Sequence, residues 1–111
     1  MDKLTHYRAL VEAVIKDRAG HKVSHGQIDT QGIVDRERDH YAVVHVGWDR
    51  GKRVFGTVLQ LDIINGKIWV QFEGSDRAAA EDLVAAGVPH EDIVLGFQPP
   101  DIRKYTDFAV A

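Results

Sequence analysis

The side chains that could do chemistry in this chain are few, and the six histidines come first. His21 and His25 stand four apart, the spacing that sets two zinc ligands on one helical face in metalloproteases. Here that stretch lies between Gly20 and Gly26, reads as a loop, and brings no third ligand, so no metal and no other cofactor is expected. His45 with Asp62 is the pair a small hydrolase would use as base and orienting acid. Neither His45 nor His90, which follows Pro89, has a nucleophile at a diagnostic spacing. With no cysteine, thiolate nucleophiles and Cys-ligated zinc are excluded. The chain also lacks a strand-to-helix glycine fingerprint, a phosphate loop and a Gly-x-Ser-x-Gly elbow. A non-enzyme is expected, and binding chemistry becomes the question.

Two groups of side chains suit binding. Arg36 with Arg38, and Arg50 with Lys52 and Arg53, are candidate phosphate contacts. Tyr41, His45, Gln60, Asp62, Trp69 and Gln71 combine aromatic rings with hydrogen-bonding groups, the composition of a protein interface or a nucleobase platform. Whether either group assembles depends on the elements that carry it.

Leu4, Tyr7, Val11, Val14, Ile15 and Arg18 recur at three- and four-residue spacing, which predicts an amphipathic helix ended by Gly20. From Gln27 to Glu73, β-rich runs separated by turn residues predict a four-stranded antiparallel meander whose first strand covers Ile28 to Asp35. Asn65-Gly66 fits a type I′ turn and sets Ile64 opposite Lys67, Ile63 opposite Ile68, Asp62 opposite Trp69 and Leu61 opposite Val70. Extending the ladder pairs Gln60 with Gln71 and Leu59 with Phe72. A turn at Arg50-Gly51 pairs Val46 with Phe55, Val44 with Thr57 and Ala42 with Leu59. One face then carries Ala42, Val44, Val46, Phe55, Thr57, Leu59, Leu61, Ile63, Ile68, Val70 and Phe72 as the core. The other carries Tyr41, His45, Gln60, Asp62, Trp69 and Gln71. That second face is open to a partner unless the second helix or the C-terminal tail covers it, and homodimerisation through it is an intermediate case.

The second helix is predicted over Asp76 to Ala86, stopped by Gly87 and the Val88-Pro89 step. Ile93 to Phe97 reads as a short fifth strand, which Pro99-Pro100 breaks. Tyr105 to Ala111 reads as an apolar tail that docks, with Tyr105, Asp107 and Phe108 as further contact candidates. The expected fold class is α+β, with 1–111 as one domain: an N-terminal helix, the meander, the second helix and the fifth strand.

A chain of 111 residues buries roughly 65% of its unfolded surface, enough for one core without staples. Fourteen Lys and Arg against seventeen Asp and Glu leave a formal net charge of -3, whereas proteins that neutralise phosphates present a basic excess. The two basic clusters also fall at opposite ends of the meander, so any DNA contact is expected to be indirect or weak. No apolar run approaches the roughly 20 residues of a membrane span, and a cytoplasmic protein is expected.

Val46-Gly47-Trp48, Asp62-Ile63, Gly66 to Gln71, Gly87-Val88-Pro89 and Tyr105 to Ala111 follow one another in an order that resembles the XisI-like family, the fdxN element excision controlling factors. The resemblance extends back to Met1-Asp2-Lys3-Leu4 with Tyr7-Arg8. It implies a small protein that controls excision of a DNA element during heterocyst development in cyanobacteria, alongside a recombinase, XisF, and a nuclease-like partner, XisH. This sequence departs from the family pattern in having His90 and Gln98, where lysine and histidine are frequent. The reading that follows is a noncatalytic regulator binding an XisH-type protein through a sheet face or the tail. The alternative is a DNA-binding accessory factor using both basic clusters.

Overall fold

In a computed structural model, residues 2–111 are described; Met1, the first residue of the opening motif, lies outside them. Helix α1 (Lys3–Ala19) leads into a meander of β1 (Gln27–Asp35), β2 (His40–Asp49), β3 (Lys52–Ile64) and β4 (Lys67–Glu73). Helix α2 (Ala79–Ala85) and a single 3-10 turn at His90–Asp92 lead to β5 (Ile93–Leu95), and a short helix α3 (Pro100–Arg103) precedes the tail. The five strands form one sheet in sequence order, antiparallel except for β5, which lies parallel to β4. No helix among the described residues is long and apolar enough to cross a membrane.

Local chemistry explains most boundaries. Asp2 caps α1 by accepting from the Thr5 amide at 2.8 Å. Both predicted hairpin turns form with left-handed backbone at their central residues, Arg50 (φ 52°) with Gly51 (φ 78°), and Asn65 (φ 52°) with Gly66 (φ 78°). Helix α2 is shorter than the predicted 76–86, and its first amide is capped from a distance by the Glu73 carboxylate. Pairing in β5 ends at Leu95, two residues short of the predicted Phe97.

One face of the sheet is covered by α1 and α2. Tyr41, Val43, Leu59, Leu61, Ile68, Val70 and Ile93 are buried there against Tyr7, Val11, Ile15 and Leu83. Gly32 lets α1 approach β1 closely: a Cβ on it would stand 3.1 Å from Ile15 Cγ2 and 3.3 Å from Ala19 Cβ.

The ladder departs from the predicted register at two places. The pairs from Ile64–Lys67 to Leu61–Val70 form as expected, but Gln60 then pairs with Phe72, leaving Gln71 as an extra residue in β4. Val46–Phe55 and Val44–Thr57 also form, but Leu59 pairs with Val43, leaving Val58 as an extra residue in β3. Each bulge adds one residue to a pattern of period two and so exchanges the faces on either side of it. The expected core face is therefore divided. Leu59, Leu61, Ile63, Ile68 and Val70 are core, while Ala42, Val44, Val46, Phe55, Thr57 and Phe72 belong to the opposite, open face. Phe55 is 72% exposed.

Candidate partner-binding face

The open face follows from that division. Ile33 on β1, Trp48 on β2, Phe55 on β3 and Phe72 on β4 are exposed, with half-buried Val44 and Val46 between them. Neither long helix packs here. Arg53 lies over two of the rings, its guanidinium carbon 5.3 Å from the Trp48 centroid and 5.7 Å from that of Phe55. This cation–π arrangement holds one charge flat against the aromatic rings, and on β1 the exposed Asp29 and Gln31 stand on the same face opposite Val46 and Val44.

Towards β4 the face becomes polar around Asp62, which is buried. Its Oδ1 accepts from His40 Nδ1 at 2.9 Å and from Gln60 Nε2 at 3.3 Å, and its Oδ2 accepts from Gln71 Nε2 at 3.1 Å. The Asp62 hydrogen bond and charge raise the His40 imidazole above its ordinary pKa. Trp69, cross-strand from Asp62, is half-buried under the C-terminal segment. Arg103 of α3 sits 5.1 Å above its ring while donating to the carbonyls of Gly96, Gln98 and Val110. The tail docks through a bridge from Ala109 to Val94 and through Phe108, stacked 5.1 Å from His90.

Of the six residues expected on one face, Gln60, Asp62, Trp69 and Gln71 do come together. Tyr41 and His45 do not, and this is a correction. Tyr41 is fully buried on the helix-covered face, where its hydroxyl donates to Asp39 at 2.8 Å. Asp39 also receives a bidentate pair from Arg8, at 2.8 and 3.0 Å. Tyr41 thus ties the β1–β2 turn to α1. His45 pairs across the strands with Thr30 and Gly56 on that same side, so a His45–Asp62 catalytic pair is ruled out, since the sheet separates them. The acid of Asp62 serves His40 instead, and among the described residues no hydroxyl bonds to that imidazole to act as a nucleophile.

The cations are dispersed and largely engaged. Arg36 bonds Glu12 at 2.5 Å and Arg38 pairs with Asp35 at 3.3 Å, at one end of the meander. Arg50, Lys52 and Arg53 occupy the other end. Tyr105 and Asp107 are exposed on the tail, whereas Phe108 is half-buried. No group of three or more potential metal ligands clusters among the described residues.

Sequence reading missed two features. His40 escapes sequence reading because the extra residue at Val58 shifts the β2–β3 register, placing it opposite Asp62 where an unbroken ladder from Arg50-Gly51 would set it opposite Leu61; Asp62 is the available signal. The aromatic character of the open face was hidden by the bulges, although Phe55 and Trp48 beside Arg53 were legible as a cluster near one turn.

Comparison with known proteins agrees with this architecture. The XisI protein family matches over residues 1–110. The crystal structure of an XisI-like protein from Anabaena variabilis superposes with a TM-score of 0.90 at 45% identity, over 97% of this chain and 99% of that one. That of the fdxN element excision controlling factor XisI, from the same organism, gives 0.85 at 38% identity, over 99% and 100%. No curated protein sequence matches.

Proposed function

This chain belongs to the XisI family, and from that premise we propose that it is a noncatalytic factor controlling excision of a DNA element. In this reading it works in the cytoplasm by binding an XisH-type nuclease-like protein on the open face of its sheet. The observation that carries the reading is the exposure of Ile33, Trp48, Phe55 and Phe72 together on one uncovered face, between 48% and 72% each. Exposed apolar and aromatic side chains gathered on one sheet face, with hydrogen-bonding groups among them, have the composition of a recognition surface, whereas single scattered ones do not. The net charge of -3 and the pairing of Arg36 and Arg38 with carboxylates favour protein over phosphate as the ligand.

The test is fluorescence anisotropy of a labelled duplex carrying the element's border sequence, with this protein alone, with the XisH-type protein alone and with both, across a salt series. The expected outcome is no binding by this protein alone and a changed signal from the partner when it is added. Phe55→Ser should leave the fold intact and weaken the partner effect about thirtyfold, the size of one buried aromatic anchor. Salt-sensitive binding by the protein alone would instead establish the DNA-accessory alternative and direct mutagenesis to Arg50, Lys52 and Arg53.

A further inference from the structure

On the helix-covered side of the sheet, past the last turn of α1, a cavity of about 570 Å³ lies beside the segment His21 to Ser24. Thr30, Val43, His45 and Val58 line it from the sheet, and Arg18 and Arg77 from the sides. Its volume falls within the roughly 300–1,000 Å³ of small-molecule sites. Two residues of its lining each bury a polar atom, Thr30 Oγ1 and Arg18 Nε, that has no hydrogen-bond partner among the described residues. Native folds leave few such groups bare, so two beside one cavity call for a ligand.

The chemistry of those atoms narrows what the ligand is. Arg18 commits Nη1 to Asp17 at 2.9 Å and Asp82 at 2.8 Å, and Nη2 to the Arg77 carbonyl at 2.9 Å. Its remaining Nε–H only donates, and a threonine hydroxyl donates readily, so both call for an acceptor oxygen. Asp17 and Asp82 already balance Arg18 and Arg77. His21 lies 3.9 Å from Asp17, so among the lining residues Lys22, set against Asp76, is the cation that remains.

We propose that this cavity binds a small organic oxyanion, a carboxylate or a phosphate, whose oxygens accept from Thr30 Oγ1 and Arg18 Nε and whose carbon skeleton rests on Val43 and Val58. Both donors are nearly closed to solvent, so the segment His21 to Ser24, which carries no helix or strand, gives way as the ligand enters. The cavity lies on the opposite side of the sheet from the aromatic face, and the proposal stands independently of the excision reading.

The experiment is an NMR titration of the intact protein with inorganic phosphate and, separately, with succinate. Saturable shifts at Thr30 and His45 with one probe and not the other identify which oxyanion the site takes. Thr30→Val keeps the shape of the side chain and removes a hydroxyl that has no partner, so it should leave the melting temperature in place and weaken binding about tenfold or more. Lys22→Ala, on the exposed segment, should also weaken it. The proposal is overturned if neither probe gives saturable shifts at these residues up to about 50 mM, or if both variants bind as the wild type does.

Discussion

Replacing Tyr7 by phenylalanine should remove one hydrogen bond and almost nothing else. Tyr7 is 4% exposed, and its hydroxyl donates to Asp92 Oδ2 at 2.5 Å, joining α1 to the turn before β5. Phenylalanine fills the same space, so no cavity term arises, but among the described residues the buried Asp92 carboxylate keeps only Lys3, at 2.8 Å, from a side chain that is itself 58% exposed. Losing a hydrogen bond to a buried charge costs about 2 kcal/mol. At roughly 2.1 cal/mol/K per residue, 111 residues carry about 230 cal/mol/K of unfolding entropy, so the melting temperature should fall by about 9 °C. The pH dependence is a second readout. Burial pushes the Asp92 carboxyl up, but the hydrogen bonds from Lys3 and Tyr7 outweigh it and hold the group below its ordinary 3.8. A carboxyl depressed in the folded state stabilises above that ordinary value and loses the contribution as pH falls through the folded one. The gap between wild type and variant should therefore be constant near neutrality and narrow below about pH 3.8. Thermal unfolding followed by circular dichroism across pH measures both effects. A fall of less than about 2 °C, or a gap unchanged in acid, would refute the assignment.

Three further outcomes follow from the same geometry. Gly47→Ala should cost about 3 kcal/mol and speed amide exchange in β1, because the new Cβ would meet the Gln27 carbonyl oxygen at 2.1 Å and Ile28 Cα at 2.6 Å; a melting temperature equal to wild type would exclude this packing. The His40 ring should titrate above 6.5 by NMR and return towards that value in Asp62→Asn. The stability it contributes is complete below 6.5 and fades as pH rises through the raised value, so an unshifted wild-type titration would deny the pair. Leu61→Asp places a carboxylate at a fully buried position and should abolish folding by circular dichroism at a cost above about 4 kcal/mol, whereas Gln71→Ala, at a bulge, should stay folded; a folded Leu61→Asp protein would refute the register.

What could be read from the residues was whatever depended on neighbours close in the chain. Asn65-Gly66 demands positive φ at both positions, and the four pairs nearest it were legible for that reason. Leu59 and Leu61 were placed in the core because alternation from the turn reaches them without error. Prediction failed at Gln71 and Val58, since neither carries a Gly or Pro that would mark an extra residue, and each reversed the parity of what lay beyond it. Tyr41 falls on the wrong face by this count; in the structure it is buried under the helices, with its hydroxyl donating to Asp39. Four of the six candidate face residues do lie together, because Gln60, Trp69 and Gln71 are set around the buried Asp62 carboxylate by the pairs nearest the Asn65-Gly66 turn.

Parallel pairing of β5 to β4 shapes the order in which the protein can assemble. The β2–β3 and β3–β4 hairpins close loops of two residues and can form within microseconds, independently of the rest. The fifth strand must wait for α2 to cross over, and its anchor to the first helix, Tyr7 to Asp92, spans 85 positions. Stabilising the Asn65-Gly66 hairpin should therefore slow unfolding little and speed folding, while loosening Tyr7–Asp92 should mainly speed unfolding. On this expectation the meander is the early scaffold, and the tether from α1 to the turn before β5 is the late latch.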